Sequence, residues 1–254
     1  MSNQREREKR REERLQAESK DAATDRRERM LKLAAGAFFL AIVAVVVVIV
    51  VASSSGGGGD TELEGVSEVN QELSGIPQND LVIGDPKAPV ELVEFGDLQC
   101  PVCKAFAEDV LPPVIENQVA KGEAKIVFRN FTIIGPDSTP AGTAAVAAGA
   151  QGRGWNFIDL FYRNQGAENG GYVDDEFLTA VAKAAGVKDI ATWNQERNSP
   201  KATEEVENTS AEAQRLGFQG TPSFAIKGPS TTGLEPLGTL GNSGEFEAAI
   251  EDAS

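Results

Sequence analysis

The sequence predicts an α/β layer domain, a mixed central sheet flanked by helices, preceded by one transmembrane helix. Three observations carry this. Val90–Phe95 and Lys125–Phe131 are apolar runs of strand length that read as strands of a core sheet. The stretch from Pro140 to Gly217 reads as a block of helices, and short strand patterns resume after it. Leu33–Ala52 contains no charge at all. Strands on both sides of a helical block make that block, about residues 138–217, an insertion into a β-rich core.

At the N-terminus, residues 1–32 carry 11 basic and 8 acidic side chains interleaved, which reads as a charged cytoplasmic tail. Its sharper alternative is contact with anionic lipid through Arg26, Arg27, Arg29 and Lys32. Residues 33–52 would rise about 30 Å as a helix, enough to span the hydrocarbon core. Those four basic residues precede the run, and the next basic residue is Lys87. The positive-inside rule therefore places the N-terminus in the cytoplasm and residues 53–254 outside. A signal peptide cleaved after Val50-Val51-Ala52 competes with this anchor, but the apolar run exceeds the usual length of a signal core.

Residues 53–80 read as a linker. Ser53–Gly59 is flexible by composition. Asp60–Asp80 is acidic, with scattered Leu63, Val66, Val69 and Leu73, and is either further tether or a short helix packed on the domain. The domain proper is expected over 81–254, a length typical of one domain. Leu81–Ile83 and Val90–Phe95 read as strands. A helix from Pro101 should be broken or kinked by Pro112-Pro113 and continue to about Val119. The insertion divides into helices at 140–150, 155–164, 174–185, 190–198 and 200–216, with Gly186 closing the third. Ser223–Lys227 and Leu237–Leu240 read as strands, and 245–251 as a last helix.

Composition removes several chemistries. Net charge is −15, and residues 60–254 alone carry −18, which argues against nucleic acid as a partner. There is no histidine, so a Ser-His-Asp or Cys-His mechanism and a His-ligated metal are excluded. The chain has two cysteines, too few for a structural zinc site. No metal and no cofactor are expected beyond a redox-active disulfide between those cysteines.

The cysteines are Cys100 and Cys103, in Glu94-Phe95-Gly96-Asp97-Leu98-Gln99-Cys100-Pro101-Val102-Cys103-Lys104, where a strand hands over to a helix. Cys100 falls at the helix N-cap and Cys103 one turn on, sharing a face. Unpaired N–H groups and the helix dipole favour a thiolate on Cys100, the expected nucleophile. Cys103 is the resolving thiol, expected to be the more buried. Pro101 sits where no N–H is needed. The competing readings are an inert intrahelical disulfide, a poor staple because its loop is tiny, and two unpaired buried cysteines. A second motif, Gly217-Phe218-Gln219-Gly220-Thr221-Pro222-Ser223-Phe224, is either an ordinary turn or a cis-proline opening a strand.

Taken together, C-P-V-C after a strand, G-T-P-x-F and the helical block between them resemble the thioredoxin-fold family. The likeness is closer to its bacterial DsbA-like branch (DsbA/BdbD-type proteins), and it spans roughly residues 81–252. The resemblance implies a thioredoxin fold with a helical insertion. It implies that Cys100 is the exposed nucleophile and Cys103 the resolving thiol, and that Thr221-Pro222 faces them, the Thr221 backbone binding an extended substrate strand. It also implies that Glu94 matches a buried acid relaying the Cys103 proton; a solvent-facing strand residue is the alternative. Asp97 and Lys104 read as surface charges. One departure matters: DsbA carries a His within its cysteine pair, where this chain has Pro101 and Val102. A couple less oxidising than that of DsbA is expected.

The expected function is thiol–disulfide exchange outside the membrane, forming disulfides in exported proteins and passing electrons to a separate membrane reoxidant. The alternatives are a reductase serving one exported partner and drawing on a membrane reductant, or a redox-inert binding module on the same scaffold.

Overall fold

The computed structural model describes residues 63–254 except Thr239. The charged tail, the apolar run 33–52 and the Ser/Gly stretch lie outside the described residues. Among the described residues, no helix is long and apolar enough to cross a membrane.

The centre is strand β3 (Val90–Gly96), buried over all but one of its residues. It pairs in parallel with β4 (Ala124–Asn130), Val90 opposite Ala124 and Gly96 opposite Asn130. On its other side it runs antiparallel to β5 (Ser223–Lys227), Phe95 opposite Ser223. Short strands β1 (Gln78–Asn79) and β2 (Val82–Ile83) extend the sheet beyond β4, and β6 (Glu235–Pro236) extends it beyond β5. The order is β1-β2-β4-β3-β5-β6.

Alternation along β3 splits the core in two. Val93 and Phe95 face one side, with Phe131, Ala213 and Ala225. Leu92 faces the larger cluster on the other, with Cys103, Phe106, Leu111, Phe128 and Tyr162. Glu94 shares the Leu92 face by the two-residue period, so a carboxyl sits inside an apolar layer.

A parallel strand pair needs a crossover, and residues 101–119 supply it. Helix α2 (Pro101–Ala105) runs into a π-helical turn (Phe106–Val110), then α3 (Leu111–Val114), then a second π-helical turn (Ile115–Val119). Pro112-Pro113 therefore do not end the helix. The first π turn sends the Leu111 N–H to the Phe106 carbonyl, five residues back. The prolines then fall in the opening turn of α3, where a missing N–H costs little.

The insertion comprises α4 (Ser138–Gly149), α5 (Gly154–Arg163), α6 (Asp175–Ala184), α7 (Ile190–Arg197) and α8 (Pro200–Arg215). In α4, five alanines are essentially inaccessible, and the small side chains let its neighbours approach closely on several sides. Trp193 Nε1 donates to the Ala144 carbonyl at 3.0 Å, and Trp155 Nε1 to the Leu81 carbonyl at 3.0 Å. These bonds lock the insertion to itself and to the sheet. The last helix, α9 (Ser243–Ala253), is capped by Asn242. Its Phe246 meets Phe224 and Phe106, with ring centroids 4.7 and 5.2 Å apart. That aromatic cluster ties the helix that begins at the cysteine pair to β5, the strand that follows the G-T-P turn.

Two expectations are corrected. The domain begins before residue 81: of the two alternatives for the acidic segment the packed short helix holds, and α1 (Val66–Glu72) and β1 belong to the domain, with Val69 and Leu73 buried. Val66, Val69 and Leu73 make a single stripe on a short acidic helix, a pattern that alone does not separate helix from tether. The last strand is β6, Glu235–Pro236, and not Leu237–Leu240. Leu237 and Leu240 are apolar because they pack on the core from a loop.

Candidate active site

Cys100 caps α2. Its backbone is extended (φ −74°, ψ 119°), and its sulfur accepts the Cys103 N–H at 3.4 Å. The Cys100 thiol also reaches the Thr221 carbonyl, Sγ to O 3.3 Å. Thr221-Pro222 is a cis peptide bond, and the Sγ–O contact joins the G-T-P turn to the cysteine pair across 121 residues of chain. Both sulfurs are free thiols. Cys103 has no exposed surface and Cys100 has 4 %, whereas Val102 between them is 60 % exposed. Pro101 is also exposed. Cys100 is therefore not the exposed thiol that the resemblance implied: the motif presents Val102 outward beside a thiol that is only just accessible, because the Thr221 turn packs over it.

The two thiols differ electrostatically. The Cys103 side chain, followed by the Thr221 side chain and the backbone N–H groups of Cys103 and Val102, draws Cys100 down to about 6 against the cost of partial burial. At neutral pH such a thiol is about nine-tenths thiolate, against a few per cent for a free cysteine. Burial, reinforced by the Cys100 side chain and the Glu94 charge, holds Cys103 well above its ordinary value. One sulfur is poised to attack or leave, and the other to keep its proton.

Glu94 is 1 % exposed, and its Oε1 has no hydrogen-bond partner among the described residues. Burial, and then the nearby Cys100 charge, lift its carboxyl to about 8. The solvent-facing alternative for Glu94 therefore fails: the β3 period turns it inward, under α2.

Several supporting residues were not legible as such. Asp97, expected at the surface, is 1 % exposed. Its carboxylate accepts the N–H groups of Gln99 (3.0 Å), Ile133 (2.9 Å) and Ile134 (3.0 Å), stapling the loop before Cys100 to the loop after β4. Gln99 is wholly buried; its amide donates to Ser138 Oγ at 3.0 Å, and its carbonyl accepts from Asn169 N at 2.6 Å. Gln165, just beyond α5, donates to the carbonyls of Leu98 (2.7 Å) and Cys100 (3.2 Å). The insertion thus grips the backbone on which the nucleophile stands. The only signal for Asp97 and Gln99 was their polarity next to the C-P-V-C motif, which does not distinguish a buried bridge from a surface group, and Gln165 had no signal at all. Lys104 does stay half-exposed, near Glu108 at 3.8 Å.

A thioredoxin family model matches residues 77–243. Among curated proteins, the chain is 34% identical over 149 residues to a probable disulfide bond formation protein D of Bacillus cereus, covering 58% of this chain and 69% of that one. It is 28% identical over 161 residues to disulfide bond formation protein D of Bacillus subtilis, covering 62% and 72%. Among solved structures, oxidised BdbD of Bacillus subtilis superposes with a TM-score of 0.61 at 26% identity, covering 71% of this chain and 96% of that one. With the thiol pair at the strand-to-helix junction, these likenesses mean that the chain belongs to the thioredoxin family, as a DsbA-like thiol–disulfide oxidoreductase.

Proposed function

We propose that the protein forms disulfides in exported proteins, using Cys100–Cys103 as its redox couple and no other cofactor. The observation that carries this direction is the asymmetry of the thiols. A thiolate stabilised on Cys100 favours the reduced protein, and a couple that prefers reduction oxidises its substrates.

Exchange begins when a substrate thiolate attacks Cys100 Sγ of the Cys100–Cys103 disulfide. The S–S bond breaks, and Cys103 leaves and takes a proton from the Glu94 carboxyl. The second substrate thiolate attacks the substrate sulfur in the mixed disulfide, and Cys100 departs as the stabilised thiolate. Two electrons have moved to the protein and a disulfide stands in the substrate. Reoxidation by a membrane partner runs in reverse: Cys100 thiolate attacks the partner disulfide, and Cys103, giving its proton to Glu94, resolves the mixed disulfide. Thr221, beside the Cys100 thiol, holds the substrate as an extended strand through its backbone, with Pro222 fixing the turn.

The apolar run 33–52 and the basic residues before it support a single-pass anchor with the thiol pair outside the cytoplasmic membrane. Extracytoplasmic compartments are where disulfides persist. Trapping thiols with acid and alkylating them in cells tests the direction. A disulfide-forming role requires Cys100–Cys103 to be mostly oxidised at steady state. A pair found mostly reduced would assign the protein to reduction of an exported partner instead.

A further inference from the structure

Below the thiol pair, a cleft of about 590 Å³ runs between α1, residues 107–120 and α5. Glu94 lies on its wall, as do Tyr162, Asp159 and Glu72. It is roomy enough to hold several waters, and although its lining is more apolar than polar, Glu94, Asp159, Tyr162 and Glu72 give such waters polar partners. Asp159 and Tyr162, with Trp155, occupy positions i+4, i+7 and i of α5, so one helical face lines the passage. Glu94 lines this space, and its Oε1 is buried with no partner among the described residues.

Glu94 has to change protonation during turnover, and it cannot do so alone. While Cys100 is a thiolate, its charge helps hold the proton on Glu94. A mixed disulfide neutralises Cys100 and removes that contribution. Burial still holds the carboxyl above its ordinary value, but its proton is then less tightly held, and losing it makes Glu94 the base that Cys103 requires. That proton needs a route out of a site that solvent barely touches.

We propose that this cleft is the proton exit of Glu94, and that Asp159 is the carboxylate that exchanges the proton with solvent at its mouth. The inference rests on the relay role of Glu94. Asp159 is placed for the task. Its side chain is 13% exposed, and Oδ1 accepts from Arg163 Nε at 3.0 Å. Arg163 reaches on to Glu72 of α1 at 2.8 Å. Burial outweighs the Arg163 charge, and the carboxyl stands at about 6, within the working range of a proton carrier near neutrality. The charged groups around it are Arg163 on its own helix, Glu72 on α1 and Glu108 on the crossover helix, with Lys104 beside Glu108. Glu68 and Glu116 stand farther along the cleft wall. The path is Cys103 S–H to Glu94, through the cleft to Asp159, and out; it runs backward when Cys103 leaves as a thiolate.

The test uses the full-length reduced chain and oxidised glutathione. Acid quenching and mass spectrometry follow the conversion of the Cys100–glutathione mixed disulfide to the intramolecular disulfide. In dilute buffer below pH 7.5, Asp159→Asn should slow this step about five- to tenfold, as loss of a proton carrier does. Imidazole, a mobile carrier, should restore the rate, and Asp159→Glu should behave as wild type. Ser74→Trp, at an exposed position on the cleft wall, should slow the step in the same imidazole-reversible way without touching Asp159. The equilibrium with glutathione should not move. Wild-type rates in both Asp159→Asn and Ser74→Trp, or slowing that imidazole does not lift, would overturn the exit. If Glu94→Gln alone resolves at the wild-type rate, the relay itself is at fault; if it is slow while Asp159→Asn is not, only the exit fails.

Discussion

Replacing Cys100 with Ser is expected to abolish dithiol–disulfide exchange, a loss of at least about a thousandfold, because the exchange has no other nucleophile. Cys103→Ser should behave differently. Cys100 keeps access to substrate, its thiolate still forms mixed disulfides, and nothing resolves them. Mass spectrometry after incubation with a reducible protein such as insulin separates the two. The Cys103→Ser chain should carry stable adducts, and the Cys100→Ser chain none. The burial difference supports this asymmetry, since Cys103 has no exposed surface with which to reach a partner directly. Equal adduct yields from both variants would contradict the assignment.

Glu94→Gln should produce two opposed effects, a gain in stability and a loss of rate. The carboxyl is lifted from 4.5 to about 8 in the folded chain, chiefly by burial. Below pH 4.5 it is neutral in both states and gives stability no pH dependence. As the pH rises from 4.5 towards 8, the unfolded chain ionises first, and stability falls by about 1.4 kcal/mol per pH unit until the folded group also ionises. Gln removes that slope. Its melting temperature should match wild type near pH 4.5 and exceed it at pH 8, by thermal unfolding monitored at both. The same variant should resolve mixed disulfides at least about tenfold more slowly, having lost its acid–base group. A melting temperature lowered at every pH would make Glu94 a structural residue only. The cost of keeping a carboxyl in this apolar layer makes sense only if its proton is used.

Much of the site is readable from the chain. The C-P-V-C motif, the run into β3 and the G-T-P turn mark the thiol pair and what faces it, because turn chemistry and strand period are local properties. Glu94 is half readable: the period of β3 puts it on the face of Leu92, and only the packed layers show that both faces of this strand are buried. What sequence could not supply is non-local. Asp97 and Gln99 look like surface residues until the loop after β4 and the Asn169 loop close over them. Gln165 acts across 65 residues on the Cys100 carbonyl. Pro112-Pro113 look like helix breakers until a π turn absorbs them. Helix α1 is readable only as an alternative to tether, because three apolar residues on one stripe are a faint signal, and its Glu72–Arg163 bridge depends on α5, far along the chain.

The reduction potential of Cys100–Cys103, from equilibrium titration against glutathione, tests the central claim most directly. Stabilisation of the Cys100 thiolate, without a His between the cysteines, predicts a value between about −270 mV, as in thioredoxin, and about −120 mV, as in DsbA. A value at or below that of thioredoxin would contradict a disulfide-forming role. One at or above that of DsbA would mean that an uncharged Val102, in place of a His, costs the Cys100 thiolate nothing, contrary to the expectation.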